Sequence, residues 1–415
     1  MKIAIATAVY YPQINGVAVF SHNLAVGLAR RGHEVMVICP SQTRRPYTRT
    51  VDGVKVVHLK STDLKVYPDQ IHDVPKRKQA LGVRLPHIIY KHGLKASVFP
   101  SKEVAEALDG FQPEVVHVQV SDPIGLAVVK WARAAGVPVV TTEHNQPEVL
   151  TDPLHIPRVL KRPVNYALAS YFRNRQSKSD FVTMPTKQAI DGMLFATGRK
   201  FEVPVAAVSN GVDLSRFKPG ETPESIYKKY GLAVGVPTAL YVGRVDPEKK
   251  VGVVIEAFLQ VLESVPDAQM VIVGDGVDKA RLERKYAAVD AVKFLGRVVG
   301  DDLYELYKVG TVFATASEIE TQGIVLIEAA ASGLPLIAVD KGAVAEVCMD
   351  GENGYLCEPG SSSEIAAAMR KILTDEKLRE KFSQKSIEIA REHDFETTLD
   401  RFINIYEKVV SDIKP

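Results

Sequence analysis

Short apolar runs recur along the chain, each closed by Gly, Pro, Asn or Asp and followed by a stretch whose apolar residues return every three or four positions. Lys2–Val9 (KIAIATAV), Glu34–Cys39, Glu114–Val118, Val137–Thr142 and Phe181–Met184 read as strands. Val17–Arg31, Ile124–Ala134 and Pro163–Arg175 read as helices between them. The strand runs are apolar almost throughout instead of alternating, which predicts a parallel sheet covered on both faces. The pattern pauses near Gly198–Pro204 and starts again. Val205–Val208, Thr238–Val242, Ala268–Val273, Val292–Leu295, Thr311–Ala314, Leu336–Val339 and Gly354–Leu356 are predicted strands. The helices expected among them lie near Val251–Val265, Lys279–Ala288, Asp301–Tyr307, Thr321–Ser332 and Ser362–Leu373. Two more follow, Leu378–Glu392 and Thr397–Val410, the last placed to fold back onto the beginning of the chain. The expected class is α/β, with two doubly wound, Rossmann-like domains facing across a cleft. One domain would comprise 1–198 plus 397–415, the other 199–396.

Length agrees with this division, since 415 residues exceed one ordinary α/β core. No run of about 18 apolar residues predicts a spanning helix, and MKIAIATAVYYPQINGV reads as a first strand instead of a signal peptide. Cys39, Cys348 and Cys357 are far apart and odd in number, so neither a disulfide framework nor a zinc site is expected and a reducing compartment fits. Charge changes the picture more. Residues 1–200 hold about 27 Lys and Arg against 15 Asp and Glu, leaving about 25 against 35 for the remainder. The basic excess gathers in two places. One runs from Lys76, Arg77 and Lys78 through Arg84, Lys91 and Lys95. The other includes Lys161, Arg162, Arg173, Arg175 and Lys178, with Val164, Leu168, Tyr171 and Phe172 at helical spacing. A solvated face over an ordinary core stripe and a face resting on anionic membrane are both open readings. No nucleic-acid-binding signature accompanies the charge.

Candidate chemistry sits where predicted strands end. The first turn, Tyr10-Tyr11-Pro12-Gln13-Ile14-Asn15-Gly16, lacks the G-x-G-x-x-G of dinucleotide binding, and the second strand ends in Cys39-Pro40 without an acid. Gly16 is either a plain turn residue or the place where a ligand phosphate approaches backbone. Val137–Thr142 delivers Glu143-His144-Asn145 to the edge where open sheets bind ligands. Ser209-Asn210-Gly211-Val212-Asp213 is a loop, and Gly274-Asp275-Gly276 reads as a turn. Arg244 and Lys249, in GRVDPEKK after a strand, place two cations at a sheet edge, suited to a diphosphate leaving group or to surface ion pairs. In SEIETQGIVLIEAAASGLP, Glu320 falls just before a helix N-terminus and Glu328 about a turn and a half inside it. The N–H groups of Gly323, Ile324 and Val325 would be available to a phosphate. Carboxylates beside an anion site make sense for a nucleotide sugar, whose hydroxyls donate to them.

Taken in order, YYPQINGV, SNGVD, GRVDPEKK and the Glu320/Glu328 element resemble the retaining glycosyltransferases of family four, with the GT-B fold. That resemblance implies Arg244 and Lys249 on the diphosphate, Glu328 on the ribose, Glu320 on the sugar hydroxyls, and the backbone of Gly323 and Ile324 supporting sugar and phosphate. It also implies Gly16 near the phosphate, His144 near the reacting sugar, and Arg297-Val298 against the base. Glu320-Thr321-Gln322-Gly323, TTEHNQPEVL and PTKQAIDGM more narrowly resemble bacterial diacylglycerol α-glucosyltransferases. This implies UDP-glucose as donor, a lipid acceptor such as 1,2-diacylglycerol, an anionic membrane surface as partner, and a peripheral location on the inner, cytoplasmic face. No tightly bound cofactor or essential metal is expected, because no Asp-x-Asp precedes a donor site; Mg²⁺ stimulation stays open. A phosphatidylinositol-type or soluble acceptor, and a non-catalytic nucleotide-sugar-binding scaffold, are the competing readings.

Overall fold

A computed structural model of the chain describes residues 1–11, 16–63, 95–119, 122–144 and 158–413. Lys76, Arg77, Lys78, Arg84 and Lys91, and the residues following His144 up to 157, lie outside the described residues. The chain divides into two compact units, Met1–Asn210 with Thr398–Pro415, and Gly211–Thr397.

The first unit is built on β1 (Lys2–Ala6), β2 (Glu34–Pro40), β3 (Tyr47–Val51), β4 (Val54–Leu59), β7 (Val115–Val118), β8 (Val139–Thr142), β9 (Phe181–Met184) and β10 (Val205–Ala207). Their order is β10-β9-β8-β7-β1-β2-β4-β3, and β5 (Thr62–Asp63) pairs separately with β6 (Lys95–Ala96). All neighbours in the large sheet are parallel except β3 and β4. That pair is a hairpin the apolar pattern did not announce. Asp52 (φ 49°) and Gly53 (φ 81°) both take the left-handed conformation that a two-residue hairpin loop requires, placing Val51 opposite Val54.

Two organisational expectations need correction. Val205–Ala207 does not open the second unit. It pairs with β9 (Val205 opposite Val182) as an edge of the first sheet, and the boundary falls at 210/211 instead of near 198. A short, half-buried strand carries no sign of which sheet it will join. The basic helix Arg158–Gln176 also buries a different line than expected: Ala169, Phe172 and Gln176 are buried, whereas Tyr171 is 46% exposed.

The C-terminal helix, Phe395–Ile413, belongs to the first unit from Thr398 onward. Leu399, Phe402, Ile405, Tyr406 and Val409 recur at helical spacing and are buried. Its seat explains Gly27, where a Cβ would come within 2.6 Å of Leu399 Cδ1. Arg31 pairs with Asp400 at 2.5 Å on the rim.

The second unit contains β11 (Thr238–Val242), β12 (Gln269–Val273), β13 (Val292–Gly296), β14 (Val312–Ala314), β15 (Leu336–Val339) and β16 (Gly354–Cys357). All are parallel, in the order β13-β12-β11-β14-β15-β16. Side chains alternate across the sheet. Ala239, Tyr241, Met270 and Ile272 pack with helices Val251–Leu262 and Ser362–Thr374, while Leu240, Val242, Val271 and Phe313 pack with helices Asp301–Val309 and Ile324–Ala331.

Candidate active site

In the second unit the chain moves outward from β11 through β12 to β13, then returns to the other flank of β11 as β14. The reversal leaves a crevice beyond the C-terminal ends of β11 and β14, where ligands bind in open α/β sheets. Arg244 and Lys249 follow β11, and Glu320 and Gly323 follow β14, so sequence and topology deliver them to the same place.

Gly274 and Gly276, read from sequence as a turn, instead form the backing of the Arg244 loop. A Cβ on Gly274 would lie 1.7 Å from Gly243 O, and one on Gly276 would lie 2.3 Å from Val245 O. Val245 N–H donates to Asp275 O (3.0 Å) and Val277 N–H to Asp246 Oδ1 (3.0 Å). The loop is therefore locked to the end of β12. On it, the Arg244 guanidinium pairs with Asp246 and, at 2.9 Å, with Glu248. The Tyr241 hydroxyl donates to Arg244 O at 2.7 Å. Burial pushes that phenol far up, Glu320 adds to the rise and Arg244 opposes it, which puts both charges within electrostatic reach of one hydroxyl.

Lys249 ends a short 3-10 helix, Pro247–Lys249. Its Nζ donates to Glu320 Oε1 at 2.6 Å, and to Ser317 Oγ and Ile319 O, each at 3.3 Å. Lys250, left-handed at φ 49°, pairs with Glu318, which also receives Lys341 at 2.9 Å. The β14 loop is thus tied by three lysines. Gly342 (φ 75°) lets the β15 loop approach from the other side, where Ala343 N–H donates to Glu320 O at 3.3 Å.

The following helix begins at Ile324 instead of near Thr321, with Gly323 as its left-handed cap (φ 71°). The N–H groups of Ile324 and Val325 have no carbonyl one turn back to receive them and mark the positive end of the dipole, whereas Leu326 N–H donates to Gly323 O at 2.8 Å. Glu328 is the fifth residue of this helix. It accepts a hydrogen bond from the Tyr307 hydroxyl at 2.5 Å, and burial, partly offset by that bond, pushes its carboxyl up to about 7. Arg297 is exposed and Val298 half-buried beyond β13, whose end is tied to β12 by Gly274 N–H donating to Gly296 O at 2.7 Å.

In the first unit, His144 follows β8 and is buried. Its Nε2 lies 2.9 Å from Gln119 Oε1, an oxygen that can only accept, so Nε2 carries the proton and Nδ1 is the acceptor. Gln119 follows β7, and its amide nitrogen is 3.3 Å from the ring nitrogens of His117. His117 meets the Tyr406 hydroxyl through Nδ1 (2.6 Å) and Thr142 Oγ1 through Nε2 (2.7 Å). Burial lowers both histidines, His144 to about 4 and His117 to about 3, so both are neutral. Sequence reasoning missed Gln119, His117 and Tyr406. The alternation in His117-Val118-Gln119, polar side chains facing one way from an otherwise apolar strand, was the available signal for the first two. Gly16 begins the helix Gly16–Arg30; its φ is not left-handed and its missing Cβ would touch nothing within 4 Å. Nothing within the described fold requires a glycine there.

The loop Ser209–Asp213 carries the crossing between units. Asp213 Oδ1 accepts from Ser215 N–H and Oγ, while Val212 is bonded to His393 and Phe395. Of the basic stripe, Arg173 is not presented outward: it donates to Thr197 Oγ1 (3.0 Å) and to Lys200 O, and lies over Phe201. Arg175 stacks over Tyr171 at 4.2 Å, Arg162 is exposed and Lys161 is half-buried. Leu160, Tyr166 and Tyr171 form exposed apolar positions on the same helix. Among the described residues no helix is long and apolar enough to cross a membrane, and no group of three His, Cys, Asp or Glu could hold a metal ion.

Two doubly wound parallel units, with charged loops at the switch point of the second, define an α/β protein of the GT-B fold. Residues 14–216 match the family described as Glycosyltransferase Family 4, and residues 224–389 that described as Glycosyl transferases group 1. The chain belongs to glycosyltransferase family 4, and it is a hexosyltransferase; the retaining stereochemistry expected from the resemblance is consistent with that family. It is 30% identical to a GDP-mannose-dependent alpha-mannosyltransferase of Mycobacterium tuberculosis, over 87% of this chain and 84% of that protein. It is 28% identical to the alpha-monoglucosyldiacylglycerol synthase of Acholeplasma laidlawii, over 85% and 84%. Against the Arabidopsis thaliana sulfoquinovosyl transferase it is 26% identical over 79% of its own length and spans 62% of that longer protein. Among solved structures, sucrose-phosphate synthase from Thermosynechococcus elongatus superimposes with a TM-score of 0.75 at 18% identity, covering 99% of both chains. Anabaena Alr3699/HepE in complex with UDP-glucose does so with 0.68 at 18%, covering 98% of this chain and 100% of that one.

Proposed function

We propose that the protein transfers glucose from UDP-glucose, with retention, to a membrane lipid such as 1,2-diacylglycerol. The observation that carries the donor half is the meeting of Lys249 Nζ and Glu320 Oε1 at 2.6 Å beside the helix cap at Gly323. A sugar–diphosphate junction presents hydroxyls and an anion side by side, and this arrangement offers an acceptor and donors at the same spacing. Arg244 and Lys249 neutralise the departing diphosphate, Glu320 accepts from the sugar hydroxyls, Glu328 accepts from the ribose, and Arg297-Val298 lines the base. Removing one such donor from a developing oxyanion costs about 2–4 kcal/mol of barrier. With no enzymic nucleophile assigned, the acceptor attacks on the face the diphosphate leaves, and a diphosphate oxygen takes the hydroxyl proton. His144, neutral and fixed by Gln119, meets the sugar through Nδ1, and Gly16 admits the phosphate to backbone.

The acceptor half rests on the naming of the Acholeplasma laidlawii relative and on helix Arg158–Gln176, whose exposed Leu160, Tyr166 and Tyr171 flank Arg162. Such a face suits the anionic inner leaflet. The second reading, mannose from GDP-mannose onto a phosphoinositol-type or soluble acceptor, is favoured by the mannosyltransferase relative. A panel of UDP- and GDP-sugars, with and without Mg²⁺, offered with diacylglycerol liposomes, phosphatidylinositol liposomes or soluble sugars and read by product mass, separates the readings. A glucolipid formed from UDP-glucose supports the first, and product formed only without liposomes overturns it.

A further inference from the structure

Glu328 is placed by the fold in a position unfavourable to its own charge. Helix Ile324–Ala331 is packed into the core by Leu326, Ile327, Ala329 and Ala330, and the Glu328 carboxyl is densely surrounded. Burial and the Tyr307 hydroxyl are the two causes acting on it. Among the described residues no cation acts on it: Lys308, on the helix that carries Tyr307, pairs with Glu305, and Lys385, on the packed helix Glu376–Arg391, pairs with Glu352 and Glu388. Tyr241 of β11 acts on Tyr307 and not on Glu328. One neutral donor is therefore what favours the ionised form.

That donor cannot wander. The Tyr307 ring is fully buried, edge-on to Phe217 at 5.3 Å and stacked with Phe313 at 6.4 Å. Its hydroxyl takes Oε2, whereas Oε1 has no hydrogen bond among the described residues and is not sealed from solvent. A carboxylate held by one oxygen presents the other in a fixed direction, as two neighbouring hydroxyls of a ribose require.

We infer that Tyr307 is a positioning residue for the nucleotide: its hydroxyl keeps Glu328 ionised and aimed, and so makes donor binding depend on pH. This rests on the reading of Glu328 as the ribose acceptor. The bond is to a charged group, so its loss shifts the ionisation of Glu328 upward. The resulting affinity loss is large where wild type is partly ionised and shrinks to the small part owed to lost aim where both proteins are fully ionised.

The test is calorimetric titration of the full chain with UDP, and with GDP in parallel, from pH 6.5 to pH 9. Tyr307→Phe keeps the packing and removes the hydroxyl; it is expected to weaken binding about tenfold at pH 6.5 and to return within about twofold of wild type at pH 9. The nucleotide's own titration is common to both proteins and cancels in the ratio. Phe217→Leu, which removes one ring contact while Phe313 still backs the tyrosine and the hydroxyl remains, is the structural control and is expected to show no pH-dependent loss. A Tyr307→Phe protein that binds like wild type throughout, or that loses the same factor at every pH, overturns the proposal. If Glu328→Gln binds like wild type at pH 9, the ribose reading falls and this inference with it.

Discussion

The two units carry similar doubly wound sheets but furnish their strand ends with opposite chemistry. Around the ends of β7 and β8 of the first unit a neutral set of side chains shares protons, Gln119, His117, His144, Thr142 and Tyr406, with one buried acid beside it, Glu143, which accepts from Gln176 Nε2. Beyond β11 and β14 of the second they are ionic and matched: Arg244 with Asp246 and Glu248, Lys249 with Glu320, Lys250 and Lys341 with Glu318. This runs against the net charges of the halves, basic in the first and acidic in the second. Overall charge thus describes surfaces, whereas the chemistry at a strand end is set by a few local partners. A neutral network orients without attracting, and a matched ionic cluster can exchange an internal carboxylate for a ligand's phosphate.

The sharpest break of this comparison is at Lys249. Lys249→Ala is expected to lower turnover at saturating donor at least about a hundredfold, with the unfolding of the first unit unchanged; near-normal turnover removes Lys249 from the chemistry. Next comes pH. Glu328 is raised when folded, so its contribution is intact at low pH and is lost as pH climbs through the range between its ordinary carboxylate value and about 7. Glu328→Gln should therefore recover roughly 3 kcal/mol of stability at pH 8 relative to pH 4 in denaturant titrations. His117 and His144 are lowered when folded, so they destabilise the first unit as pH falls below the usual histidine value towards about 3 and 4. His117→Gln should spare about 2 kcal/mol of that loss at pH 5. If both variants move stability the same way with pH, the contrast between the units fails. A smaller effect tests the surface of helix Arg158–Gln176: Arg162→Glu should weaken binding to anionic liposomes several-fold, and wild-type binding should fall with salt. Binding indifferent to salt would remove charge from the association.

How much of this was legible in sequence depends on the range of the cause. Continuous apolar runs such as Glu34–Cys39 and Leu336–Val339 disclosed the strands, because burial on both faces writes itself into composition. The places of Arg244, Lys249 and Glu320 after strand ends, and of Glu328 inside the helix that follows β14, were legible because the same runs define those ends. The hairpin across Asp52-Gly53 was legible and overlooked: an Asp-Gly pair between Val51 and Val54 is a strong turn signal. The role of Gly274 and Gly276 was hidden, since their neighbours, Gly243 and Val245, come from another strand. Tyr406 was hidden for the same reason at greater distance, its partner His117 lying 289 residues earlier. The sheet that Val205–Ala207 joins was undecidable from a three-residue segment.

The returning C-terminal helix has a consequence for biosynthesis. When Asn210 has left the ribosome, about 190 residues remain before Thr398 begins the segment that covers Gly27 and reaches His117. At about 5–20 residues per second the nascent first unit waits on the order of ten seconds or more with that seam open. The second unit, whose residues are contiguous, can complete itself in the interval. The first unit is therefore begun before the second and finished after it, and a premature stop anywhere before Thr398 leaves that earlier unit, and not merely the helix downstream, unfinished.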